Sequence, residues 1–269
     1  MASVPLTLAL RKEYQDLFAT CSVAANRAKA VEGLVDGLLA NQARYQTVAA
    51  ALGVPWTFIA VIHNMESGQS FDEHLHNGDP LTARTVHIPA GRPKTGAPPF
   101  TWEASAKDAL TMHHLGVRTD WTLAGTLYQA ELYNGFGYRL RHPEVKSPYL
   151  WGYSNHYTAG KYVADRKWSA TAVTDQCGAA VLLRRLAERG HNGFTDQAPP
   201  PADGTPLVVP YSLTKPTDPA KLAQVIALQT WLSTHPGVLV KPDGAAGDHT
   251  SDAYKLVTGH HLPGDPRGD

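Results

Sequence analysis

The chain has 269 residues, 43% of them hydrophobic, and its 24 Lys and Arg balance its 24 Asp and Glu. That length and apolar content suit one large domain, or one domain plus a small module, around a sizeable core. A formal charge of zero argues against a polyanion binder such as a nucleic-acid-binding protein, and no apolar run approaches the roughly 18 residues that a membrane helix needs.

The opening MASVPLTLALRKEY carries a short apolar patch without a charged start or a long apolar core, so no signal peptide is visible. Export by another route, removal of a leader and action inside the cell all stay open. Residues 8–52 read as helices. Leu10, Tyr14, Leu17 and Phe18 form one apolar stripe; Val31, Leu34, Val35, Leu38, Leu39, Tyr45, Val48 and Leu52 continue the pattern. Gly53 ends this section and Pro55 opens a central apolar helix, Trp56 to Ile62, which runs into His63-Asn64-Met65-Glu66-Ser67-Gly68. Glu66 therefore falls in the last turn of a mostly buried helix, where the helix dipole and burial both raise a carboxyl pKa. Such a group suits general acid catalysis; the other reading is a solvated carboxylate paired with a base.

Residues 69–101 are dense in Gly and Pro and read as a long loop with a small β-hairpin at Thr85-Val86-His87-Ile88. A loop of that length in a compact domain is usually functional. Helices are expected again over 102–110 and 120–133, the second capped by Asp120 and stopped at Asn134-Gly135. Residues 139–168 are rich in aromatics and lack a helical period, and 173–189 is a last core helix. Cys21 and Cys177 read as two buried thiols. A proline-rich linker, 195–218, precedes a small module, 219–269, with helices over 222–232 and 251–257.

A buried helix ending in Glu-Ser-Gly, followed by the acidic loop HLHNGDP, resembles the lysozyme superfamily: goose-type lysozymes, lytic transglycosylases and chitosanases. The likeness covers mainly residues 45–80, with weaker echoes to about 190. It implies a mainly α, lysozyme-like helical domain over 1–194 with a small β-hairpin lobe, and it makes Glu66 the catalytic acid. A carboxylate a dozen or more residues after that Glu, in the small lobe, positions the attacking water in such enzymes. The resemblance carries this role to Asp79, which could equally be a turn residue holding its own loop. Asp72, Glu73 and Glu131 are the other carboxylates in reach. Tyr133-Asn134-Gly135 resembles the transglycosylase motif that holds the sugar, and it also reads as a helix cap. In the small module, Leu228-Gln229, Leu232, Asp243-Gly244, Gly247, Thr250 and Ala253 resemble three-helix peptidoglycan-binding repeats. It lacks their terminal aromatic pair.

Among the aromatics, Trp102, Tyr149, Trp151, Tyr153 and Tyr157 offer flat faces for sugar rings, and Asn155 offers an amide; Trp102, Trp151 and Asn155 join Tyr133 and Asn134 as substrate-binding candidates. The expectation is thus a glycoside hydrolase acting on a bacterial amino-sugar polysaccharide, peptidoglycan before chitosan, with no cofactor and no metal. With Asp79 activating water the expected outcome is inversion; with no base placed, attack by the sugar itself would make it a lytic transglycosylase. A zinc-dependent peptide hydrolase built on His74, His76 and Asp79 is the competing chemistry, although no HExxH motif is present. A non-catalytic glycan-binding protein on the same scaffold is the third reading.

Overall fold

The computed structural model describes residues 4–164, 167–191, 193–196, 208–233, 235 and 238–268. They form a mainly helical protein with one small two-stranded antiparallel sheet, and no single helix among them is long and apolar enough to cross a membrane. The chain divides into two compact units, Met1–Arg184 and Arg185–Asp269. Residues 197–207 of the expected linker lie outside the described residues.

In the first unit, α1 (Leu8–Thr20) starts where the Thr7 hydroxyl accepts the Leu10 amide, and it buries Leu10, Tyr14 and Phe18, the i, i+4, i+8 stripe. α2 (Ala28–Ala40) and α3 (Gln42–Leu52) bury Val31, Val35, Leu38, Tyr45 and Val48. Gly53 ends α3 in the left-handed region, φ 68°. α4 (Trp56–Ser67) is the axis of this unit: every residue from Thr57 to Met65 is buried, and it packs on α2, α3 and α6. A helix apolar all round must be enclosed. It stops at Gly68, φ 56°, where the Gln69 amide reaches back to the His63 carbonyl and the Gly68 amide to Asn64, so two terminal carbonyls are satisfied.

Beyond the loop come α5 (Trp102–Met112), α6 (Leu123–Asn134), α7 (Gly137–Arg141), α8 (Pro148–Trp151), the strands β1 (Lys161–Ala164) and β2 (Lys167–Ser169), and α9 (Ala179–Glu188). The expected hairpin at 85–88 is not formed. The Asp79 carboxylate takes the amides of Val86 and His87, and Pro89 and Pro93 have no N–H to give, so only the backbone bonds of Thr85 with Gly91 and Arg92 form there. The sheet lies instead in the aromatic stretch, where Tyr162 faces Trp168 across the strands with ring centroids 5.3 Å apart. A second correction concerns α6. Its N-cap is Thr122, whose hydroxyl accepts the Gly125 amide. Asp120 stands behind it, accepting from the Thr122 amide and hydroxyl, and ion-pairs with Arg11 at 2.6 Å.

The second unit holds α10 (Pro219–Leu232), capped by Asp218, and α11 (Asp248–Thr258) around Val225, Leu228, Leu232, Val240, Ala253 and Leu262. Gln229 explains much of the motif found there. Its buried amide donates to Asp243, the Ala245 carbonyl and Thr250, and accepts from the Gly244 amide. The Leu-Gln, Asp-Gly and Thr positions are thus one hydrogen-bonded clamp that docks a turn between two helices.

Candidate active site

Glu66 sits half-buried on the last turn of α4, and the Tyr149 hydroxyl donates to its Oε1 at 2.9 Å. Among the described residues no cation pairs with it. Burial pushes its carboxyl from the ordinary 4.5 up to about 7, against the opposing pull of the Tyr149 hydrogen bond. Tyr133, from the end of α6, is the second phenol beside it. Burial first, and the Glu66 charge next, hold both phenols above their ordinary range, so each stays a neutral donor.

Three elements far apart in the sequence converge on Glu66 because two glycines let backbones touch. A Cβ on Gly178 would stand 2.2 Å from the Leu150 carbonyl oxygen, and one on Gly152 would stand 2.5 Å from that of Gln176. The Gly178 amide donates to the Gly152 carbonyl at 2.9 Å. This contact seats α8, and with it Tyr149, against the end of α4. Gln176 completes the joint by donating its side-chain amide to the Met65 carbonyl at 2.7 Å.

The local wiring predicts the effect of Tyr149→Phe. The lost hydroxyl is the group that favours the Glu66 carboxylate, so its removal raises the carboxyl pKa further above about 7. Carboxyl ¹³C shifts followed across pH will report it; an unchanged or lower midpoint contradicts the wiring.

The other carboxylates differ in how much of their bonding capacity is spent. Asp79 is buried, and both oxygens are occupied. Oδ1 accepts from the His87 ring at 2.6 Å, and Oδ2 from the amides of Val86 and His87 and the side chain of Asn77. Burial pushes this carboxyl up, and the His87 ring and the two amides outweigh it, holding it at about 2. Asp79 is thus built as the keystone of the 77–92 loop rather than as an open base. Glu131 is also spent: buried between α1 and α7, it accepts from the Tyr14 hydroxyl and is gripped by Arg139 at 2.9 Å. Glu73 is different. It is half-buried and its carboxylate bonds to no described group. A Cβ on Gly78 would lie 3.6 Å from the Glu66 carbonyl oxygen and 3.7 Å from the Glu73 carboxylate, so the free carboxylate flanks the end of α4. Asp72 is exposed, at the rim of a separate cleft lined by Arg44, Phe71 and Phe100.

The aromatic candidates divide as sharply. Trp102 and Trp151 are each 1% exposed. Trp102 packs among Tyr45, His63 and Phe71, and the Trp151 edge meets His156, so neither offers a face to a sugar. Both are core residues, since an indole buries more apolar area than any other side chain can. Asn155 is a tether: its side chain accepts the Ser22 amide and donates to the Thr20 carbonyl. Tyr133 lies at Glu66, and Asn134 is exposed at the end of α6 with its amide bonded to no described group. Gln176 carried no signal in the sequence, being one polar residue in an aperiodic stretch.

Among the described residues no group of three or more His, Cys, Asp or Glu converges as a metal site. The residues of the zinc reading are committed elsewhere. His74 bonds Ser105 and the Ala83 carbonyl, His76 bonds Asp108, and Asp79 bonds His87. Cys21 and Cys177 are buried and form no disulfide. No known protein family, curated protein or solved structure matches the chain.

Proposed function

We propose that this protein is a glycoside hydrolase that cleaves a polysaccharide of amino sugars, peptidoglycan first, with Glu66 as the proton donor. The observation that carries the reading is a helix-end carboxyl held at about 7 with two phenols beside it and no cation paired with it among the described residues. An acid with a pKa near working pH is both protonated and able to give up its proton. The likeness of the Glu-Ser-Gly helix end and the HLHNGDP loop to the lysozyme superfamily points the same way.

The second group of the reaction is Glu73 in this proposal, in place of Asp79, because Glu73 keeps its lone pairs available. Glu66 donates its proton to the glycosidic oxygen as the C1–O bond breaks. Water attacks C1 from the opposite face, and Glu73 takes that water's proton, which gives inversion. The test is a panel of peptidoglycan, chitosan and chitin oligosaccharides, with reducing ends counted and products weighed. Glu73→Gln is expected to lower kcat about 10²- to 10⁴-fold with the melting temperature unchanged. Asp79→Asn is expected to lower the melting temperature first. Full turnover in Glu73→Gln refutes the base assignment, and no cleavage of any glycan refutes the function.

A further inference from the structure

We propose that His113 is a substrate-contacting residue beside Tyr133 and Glu66, holding a sugar hydroxyl or acetamido group through a ring nitrogen; this rests on the glycosidase reading above. The imidazole stacks on Tyr133, centroids 4.1 Å apart and planes 25° from parallel, and Tyr133 is one of the two phenols at Glu66. The ring is half-buried, and neither of its nitrogens bonds to any described group. That sets it apart from the other enclosed histidines of this unit. His63 is bonded to Tyr45 and the Ser70 carbonyl, His74 to Ser105 and the Ala83 carbonyl, His76 to Asp108, and His156 to the Leu17 carbonyl. Its nitrogens are not among the buried polar atoms that lack a partner, so they face solvent, where a ligand can reach them.

The backbone at this helix end is tightly held. His113 caps α5, and its amide still donates to the Ala109 carbonyl; His114 then turns into the left-handed region at φ 57°, and Leu115 closes back on the Leu110 carbonyl at 3.0 Å. A non-glycine residue there is uncommon, so the surrounding structure holds it in place. Burial first, then His76 and His114, keep the imidazole below its ordinary pKa. It is therefore neutral near pH 7, with one donor and one acceptor, the complement of a sugar hydroxyl or acetamide. A flat ring stacked on a flat ring also loses little freedom when it binds.

The test separates hydrogen bonding from stacking. In the full-length protein, His113→Phe keeps a ring for Tyr133 and removes both nitrogens, and His113→Gln restores polarity. In the Glu66→Gln background, where turnover is removed, binding of a chitin tetrasaccharide and of a muropeptide oligomer is measured by calorimetry. We expect His113→Phe to weaken binding about tenfold, the loss of one hydrogen bond, and to raise KM with kcat little changed when Glu66 is intact. His113→Gln should recover part of both at an unchanged melting temperature. Equal binding by His113→Phe and its parent overturns the role of His113 and leaves the glycosidase reading standing. If the Glu66→Gln parent binds neither oligosaccharide and the wild type cleaves neither, both fall.

Discussion

Glu66→Gln is expected to remove glycan cleavage, by about 10²- to 10⁴-fold in kcat, and to leave the fold intact. Glutamine fills the same volume and still accepts from Tyr149, but it has no proton to give. The wild-type rate should fall above about pH 7, tenfold per unit, because the active form is the protonated carboxyl. Stability runs in the same direction. A carboxyl that ionises near 4.5 unfolded and about 7 folded holds its proton more tightly in the native state. Its contribution is fully present below 4.5 and is lost as pH rises through about 7. That difference is roughly 3 kcal/mol. Glu66→Gln should therefore be more stable than wild type at pH 8 and about equal at pH 4. Urea titrations at both pH values measure it, and a variant no more stable at pH 8 would show that the carboxyl is solvated after all.

Arg139→Ala carries the largest expected stability loss, about 3–5 kcal/mol. Arg139 grips the buried Glu131 at 2.9 Å, reaches Glu13 at 3.1 Å, and packs its guanidinium toward the Tyr14 ring. Glu131 is only 2% exposed, so removing its cation strands a charge among α1, α6 and α7 with the Tyr14 hydroxyl alone to hold it. At roughly 2–4 °C per kcal/mol for a chain of this size, the melting temperature should drop by about 10 °C. Replacing both partners, Arg139→Met with Glu131→Leu, should regain most of it, because the penalty comes from the orphaned charge. If the double variant is as unstable as the single one, the loss is one of packing.

Three carboxylates show where sequence reading succeeds and where it stops. Glu66 was legible because its environment is local. An apolar run, a glycine stop and a carboxyl two residues before it suffice to place the group in the last turn of a mostly buried helix. Asp79 read equally as an open base and as a turn residue, and it is held by Asn77, Val86 and His87 of its own loop; Glu131 read as a possible carboxylate, and it is tied down by Arg139 on the next helix and by Tyr14, which only the fold brings near. Trp102 and Trp151 misled for a related reason. Trp102 opens a helix and Trp151 lies in an aperiodic stretch, and neither place says whether an indole face meets solvent or other rings.

From the residues alone came the helical majority, the apolar stripes of α1 to α4, the stop at Gly68 and the position of Glu66, all set by contacts within a few residues of one another. The tertiary structure decided the rest. It moved the only sheet among the described residues to 161–164 and 167–169, left Glu73 free, set Tyr14 against Glu131, and brought Tyr149 to the Glu66 carboxyl through the contact of Gly152 and Gly178, with Tyr133 beside it and Gln176 on the neighbouring Met65 carbonyl. Hydrogen-bond partners separated by 80 residues or more have no periodicity to betray them, so their pairing exists only once the backbones have packed.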